Sequence, residues 1–188
     1  DVIIGVPVGY EPAETTRPYY RSSYVFVLGP AAARRVRSLD DPVLQRMRIG
    51  VHVIGDDYTN VPPAHALASR HLVDNVRGYS IYGDYGTANP PAALIDAVAS
   101  GELDVALAWG PLAGYFAQRA SPPLTVRPVG ARGDASAIPF EFEVAMGVRR
   151  GDRVLLEALD AALQRRSADI TRVLREFDVP LLPLDPPR

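Results

Sequence analysis

Short apolar runs alternate with apolar stripes at helical spacing along most of this chain. Strand-like runs cover residues 2–6, 24–28, 49–54, 79–82, 104–108, 124–128 and 140–148. Helix-like stretches cover residues 61–69, 91–99, 112–118, 153–165 and 168–177. Between residues 49 and 126 strands alternate with helices, reading β-α-β-α-β-α-β. That order predicts a small, mostly parallel sheet with helices on both faces. The helix opening at Pro91 has proline in its first turn and stops at Gly101, the expected asymmetry of helix ends. Leu94, Ile95, Val98 and Ala99 share one face of it, and Leu155, Leu159, Ala162 and Leu163 share one face of a later helix.

The two flanks differ from this central unit. Strand 24–28 leads into it and strand 140–148 leaves it, each beside a polar or flexible stretch (residues 29–38 and 130–137). They read as two crossing hinge strands between two lobes. Lobe one is then discontinuous, built from residues 1–30 and 138–188, and lobe two spans 31–137 with the hinge segments. Such a plan places a ligand in a cleft and closes it by hinge motion. The proline-rich end VPLLPLDPPR reads as a strap or tail, and no internal repeat is visible.

Composition narrows the function classes. The chain has 188 residues, enough for one domain or two small lobes, and is 47% hydrophobic and 22% charged, ordinary for a globular protein. A formal charge of -2 leaves no nucleic-acid footprint. All 20 basic residues are arginine, read as a GC-rich coding bias. With no cysteine there is no disulfide framework, thiolate metal site or cysteine nucleophile. No apolar run approaches the roughly 20 residues of a membrane span. Residue 1 already lies in a strand, which reads as a processed or partial chain, so a missing leader does not argue for cytoplasm.

Three loops at strand ends carry the candidate chemistry. The stretch VHVIGDDYTNVPPAH runs from a strand into a helix start, the usual place for an anion, because free N–H groups and the helix dipole face it. Asp56 and Asp57 oppose that use, since like charge beside a desolvated anion is costly. They cap the helix, or they join Tyr58 and Thr59 in binding a cation or a polar surface. Trp109, the one tryptophan, stands at the carboxyl end of a strand, where open α/β sheets present ligand contacts; it lines a cleft or packs in the core. YSIYGDYGTANPP places Tyr79, Tyr82, Asp84, Tyr85 and Asn89 at another strand end, as a partner surface or as loop packing. His52, His65 and His71 lack zinc spacing and read as core or surface histidines. No calcium loop, nucleophile elbow, dinucleotide fingerprint or phosphate loop is present, so no enzyme, metal or cofactor is expected.

TTRPYYRSSYVFV, SLDDPVLQRMRIGV, AALIDAVASGELDVALAWGPLAGYFA and VAMGVRRGDRVLLEALDAAL, in that order, resemble the family 3 periplasmic solute-binding proteins over nearly the whole chain. GDDYTNVPPAHALA, YGDYGTANPPAALIDAV and WGPLAGYFA resemble a narrower group. These are the quinoprotein-dehydrogenase-associated substrate-binding proteins, periplasmic accessory proteins of PQQ-dependent methanol dehydrogenase systems. The resemblance implies a two-lobed α/β fold of the type II binding-protein kind. It also implies that the first lobe here lacks about two βα units, on the order of 60 residues. Apolar faces of strand 2–6 and of the C-terminal helices would then be exposed, and either a preceding part of the protein or another copy of the chain would cover them.

In amino-acid receptors of this family, a lobe-one arginine and the lobe-two helix loop hold the ligand carboxylate, and an acid at the later strand end holds its amine. Here that strand ends in Trp109-Gly110-Pro111, the loop carries Asp56 and Asp57, and Arg17 and Arg21 flank PYY without a legible Thr-Pro-Glu-Arg stretch. The amino-acid site is therefore expected to be lost. The resemblance implies a periplasmic accessory protein that contacts a PQQ-dependent methanol or alcohol dehydrogenase in maturation or activation. The alternative is the solute receptor of an ABC transporter for a small polar or cationic ligand.

Overall fold

A computed structural model describes residues 1–53, 61–81, 89–129 and 139–184. In chain order the elements are β1 (Val2–Pro7), β2 (Glu14–Thr15), β3 (Tyr20–Leu28), α1 (Pro30–Ala33), a 3-10 turn (Pro42–Arg46), β4 (Ile49–Val53) and α2 (Pro62–Ala68). There follow β5 (Val76–Ser80), a 3-10 turn (Pro90–Ala92), α3 (Ala93–Ala99), β6 (Val105–Trp109), α4 (Gly110–Arg119) and β7 (Thr125–Pro128). The chain ends with β8 (Glu141–Val148), α5 (Arg153–Arg165) and α6 (Ser167–Glu176). It divides into two compact units, Asp1–Ser23 with Glu141–Arg188, and Tyr24–Phe140. The sequence reading put these boundaries after residue 30 and before residue 138.

The Tyr24–Phe140 unit is an open α/β sheet in the order β5-β4-β6-β3-β7. β4 pairs parallel with β5 and β6, and β3 pairs antiparallel with β6 and β7. Strands β4 and β6 are almost wholly buried, as expected for parallel strands covered on both faces. One buried cluster joins Phe26, Leu28, Leu44, Ile49, Leu67 and Leu107 on the side of α1, α2 and the first 3-10 turn. The other joins Val25, Val27, Leu94, Ile95, Leu103 and Ala113 on the side of α3 and α4.

Two strand bounds need correction. The alternation predicts a mostly parallel sheet, within which antiparallel β3 stands between β6 and β7. Strands β4, β5, β6 and β7 do run the same way, since β6 and β7 are each antiparallel to β3. Strand β5 lies at Val76–Ser80 rather than 79–82. It is a sheet edge with exposed Arg77 and Gly78, so its apolar signal is weak. Strand β3 begins at Tyr20 rather than residue 24, because its first turns carry Ser22 and Ser23. Both serines are buried, and Ser22 Oγ donates to the Pro180 carbonyl at 2.6 Å.

Gly50 shows how closely β4 and α3 pack. A Cβ there would lie 2.4 Å from Leu103 Cδ1 and 2.5 Å from Leu94 Cδ1, both in fully buried side chains. Overpacking of this kind costs about 1–3 kcal/mol. Gly50→Ala should lower the denaturant midpoint accordingly, with an unchanged slope. A wild-type midpoint would show that both leucines relax freely.

In the other unit, β8 pairs antiparallel with β1, β2 and residues 20–23 of β3. The register shifts between Ile4 and Val6, where Gly5 adopts φ +85, a left-handed conformation open to glycine. Leu182 bridges antiparallel to Arg21, so the proline-rich end does act as a strap. This unit is thinly packed. Val2, Ile3 and Ile4 on β1 are exposed, Ile4 by 72%, and Val154 on α5, Val173 on α6 and Phe177 just after α6 are exposed too.

Candidate functional site

Strand β6 ends at Trp109 and α4 begins at the next residue, with Trp109 in the N-cap position and Pro111 in the first turn. Proline suits that turn because its missing N–H has no intrahelical acceptor there. No loop separates strand from helix, so the indole is fixed by both. Trp109 stands directly opposite Tyr24 in the β3–β6 register. The two rings meet edge to face at 5.4 Å between centroids and 62°. Tyr24 in turn meets Phe140 at 6.3 Å and 85°, and its backbone N–H donates to the Phe140 carbonyl at 2.8 Å. Burial pushes the Tyr24 hydroxyl pKa up, so this is an uncharged aromatic cluster with Trp109 half-buried at its edge. Sequence reading singled out Trp109 but missed Tyr24 and Phe140, which come from segments more than 80 residues apart in the chain.

His52 lies on β4 one residue from its end, 5% exposed. Its Nε2 donates to the Pro91 carbonyl at 3.2 Å, fixing the tautomer with the proton on that nitrogen, since a carbonyl can only accept. Burial lowers its pKa below the ordinary 6.5, and the carbonyl contact opposes this more weakly. His52 is a satisfied core histidine. The folded state resists protonation more than the unfolded chain. This contribution is therefore fully present above pH 6.5 and falls as pH drops toward the lowered folded-state pKa. The slope from one such group reaches at most about 1.4 kcal/mol per pH unit. Denaturation curves between pH 7.5 and 5 should show this loss, and His52→Gln should flatten it. An equal slope in both proteins would contradict the assignment.

The helix start that follows β4 differs from the capping expectation in one respect. Val61 is the N-cap residue of α2, so neither Asp56 nor Asp57 holds that position. Asp56, Asp57, Tyr58, Thr59, Tyr82, Asp84 and Tyr85 lie outside the described residues.

Arg17 and Arg21 both belong to the unit that contains β1 and β8. The Arg17 backbone N–H donates to Asp160 Oδ1 at 2.8 Å, and its guanidinium reaches Asp160 at 3.6 Å and Gln164 Oε1 at 3.4 Å. Arg21 Nη2 pairs with Glu141 Oε2 at 2.7 Å, and Nη1 reaches the Pro183 carbonyl at 3.5 Å. Each arginine thus spends its charge on an acid of its own unit. Among the described residues no group of three or more histidine, aspartate or glutamate side chains could hold a metal ion. No helix among them is long and apolar enough to cross a membrane.

No protein-family model matches the chain. Protein MoxJ of Methylorubrum extorquens is 31% identical over 195 residues, covering 98% of this chain and 63% of that protein. The chain thus spans a little under two thirds of that relative's length. The crystal structure of the periplasmic binding protein XoxJ from Methylobacterium extorquens AM1 is 34% identical, with a TM-score of 0.79, covering 98% of this chain and 76% of the other. The crystal structure of MxaJ from Methlophaga aminisulfidivorans MPT shares the fold, with a TM-score of 0.77 at 24% identity, covering 97% of this chain and 76% of the other.

Proposed function

We propose a function from one premise: this chain belongs to the family of periplasmic binding proteins that includes XoxJ. It acts as a periplasmic accessory protein of a PQQ-dependent methanol or alcohol dehydrogenase system, by protein–protein contact in maturation or activation rather than by catalysis. The loops at the carboxyl ends of β4, β5 and β6 form the contact surface. In an open α/β sheet such loops gather on one side. That surface includes Asp56, Asp57, Tyr58, Tyr82, Asp84, Tyr85 and Trp109.

One observation carries the reading. At the end of β6, where the amino-acid receptors of this fold are expected to carry an acid, Trp109 takes the N-cap position of α4 and its indole meets the Tyr24 ring edge to face. An indole cannot neutralise an ammonium group, but a half-buried tryptophan at a strand end is the residue type of an interface anchor. The pairing of Arg17 with Asp160 and of Arg21 with Glu141 supports the same view.

A thermal-shift screen against common amino acids and small cations, run beside a pull-down with the purified dehydrogenase, separates this reading from that of a solute receptor. Capture of the dehydrogenase, with no solute giving a shift of several degrees, is expected. A shift of several degrees with one solute, and no capture, would assign the chain to the receptor class.

A further inference from the structure

We propose that the unit containing β1 and β8 carries a binding groove for a small organic carboxylate with an apolar body. The groove has a volume of about 310 Å³, at the lower end of the roughly 300–1,000 Å³ of small-molecule sites. Tyr19, Tyr20, Leu174, Arg175, Leu182 and Leu184 line it, from the start of β3, from α6 and from the strap. The strap is held against β3 by the Leu182 N–H to the Arg21 carbonyl at 2.9 Å and by Ser22 Oγ to Pro180. The walls are thus fixed to one another within one unit.

Of the polar side chains along this groove, Arg21 is paired with Glu141 and Thr171 donates to the Ser167 carbonyl, which leaves Tyr19, Tyr20 and Arg175 as its open donors among the described residues. Tyr19 and Tyr20 meet edge to face at 5.1 Å, and burial raises both hydroxyl pKa values, that of Tyr20 to about 12. Both therefore stay protonated as donors at any working pH, and neither hydroxyl makes a hydrogen bond among the described residues. Arg175 is the decisive group. On α6, Asp169 pairs with Arg166 and Arg172, and Glu176 pairs with Arg172. The acids of the helix are spent on those two arginines. The Arg175 guanidinium makes no ion pair or hydrogen bond among the described residues. A guanidinium with no acid partner among the described residues, beside protonated phenols, selects an acceptor-rich anion, and a planar carboxylate fits its fork. The leucine and tyrosine walls select an aliphatic or aromatic body over a fully hydrated ion such as sulfate.

The test uses the whole chain with benzoate and hexanoate as probes and benzamide as the uncharged control, followed by saturation-transfer NMR and calorimetric titration. Both acids should bind with Kd of about 1 mM or tighter, a scale common for small probes of one charge. Benzamide should bind at least about tenfold more weakly, and Arg175→Ala should weaken benzoate by a similar factor. Arg172→Ala, one turn away and already paired, should leave benzoate binding within about twofold of wild type. Absence of saturable binding by either acid would overturn the proposal. So would equal affinity for benzamide, retention of affinity by Arg175→Ala, or an equal loss in Arg172→Ala, which would mark diffuse charge attraction.

Discussion

Phe26→Ala should cost about 3–5 kcal/mol of stability, the range for truncating a fully buried aromatic ring. Phe26 sits near the carboxyl end of β3, opposite Leu107 on one side and Arg127 on the other. It is wholly inaccessible and packs in the cluster that holds Leu44, Ile49 and Leu67. The neighbours come from three strands and from helices on one face, so the sheet cannot collapse onto the gap without moving several elements at once. A large fall in the denaturant midpoint is expected, and for a domain of this size the melting temperature should drop by several degrees or more. A loss below about 1 kcal/mol would mean that the cluster repacks as a fluid, contrary to the dense core described.

The second large effect is expected at the contact surface. Trp109→Ala combined with Tyr85→Ala should weaken binding of the dehydrogenase by about 2 kcal/mol or more, if both rings are anchors. Trp109 stands at the strand-to-helix junction with the Tyr24 ring against it, and an anchor already packed in the free protein loses less entropy on binding. Tyr85 enters from its position in the loop sequence after β5. The acidic residues of the same loops should steer a basic partner, so added salt should slow association more than it speeds dissociation. An unchanged dissociation constant for the double variant, with its circular dichroism intact, would remove the contact surface from the account.

The buried parallel strands were legible because burial on two faces writes itself as an unbroken apolar run, as in VALAW of β6. Helix α3 was legible from its stripe and its ends. The start of β3 was not, because Ser22 and Ser23 read as loop while Ser22 is in fact satisfied by the carbonyl of Pro180, 158 residues away. No local pattern announces such a partner. The insertion of β3 between β6 and β7 is likewise tertiary, a pairing of segments far apart in the chain. At the candidate site, Trp109 was legible as a lone large aromatic at a strand end. The edge-to-face ring cluster around it was not, since Tyr24 and Phe140 reach it only through sheet register and a backbone hydrogen bond. The roles of Arg17 and Arg21 turned on Asp160 and Glu141, acids whose proximity depends on the return of the chain from its far end.

Surface plasmon resonance with the chain immobilised and purified PQQ-dependent methanol dehydrogenase in solution tests the central claim most directly. The account predicts saturable binding with a Kd of about 1 µM or tighter at moderate salt, with association that slows as salt is raised. No saturable response at dehydrogenase concentrations up to about 100 µM, a hundred times that Kd, would contradict it.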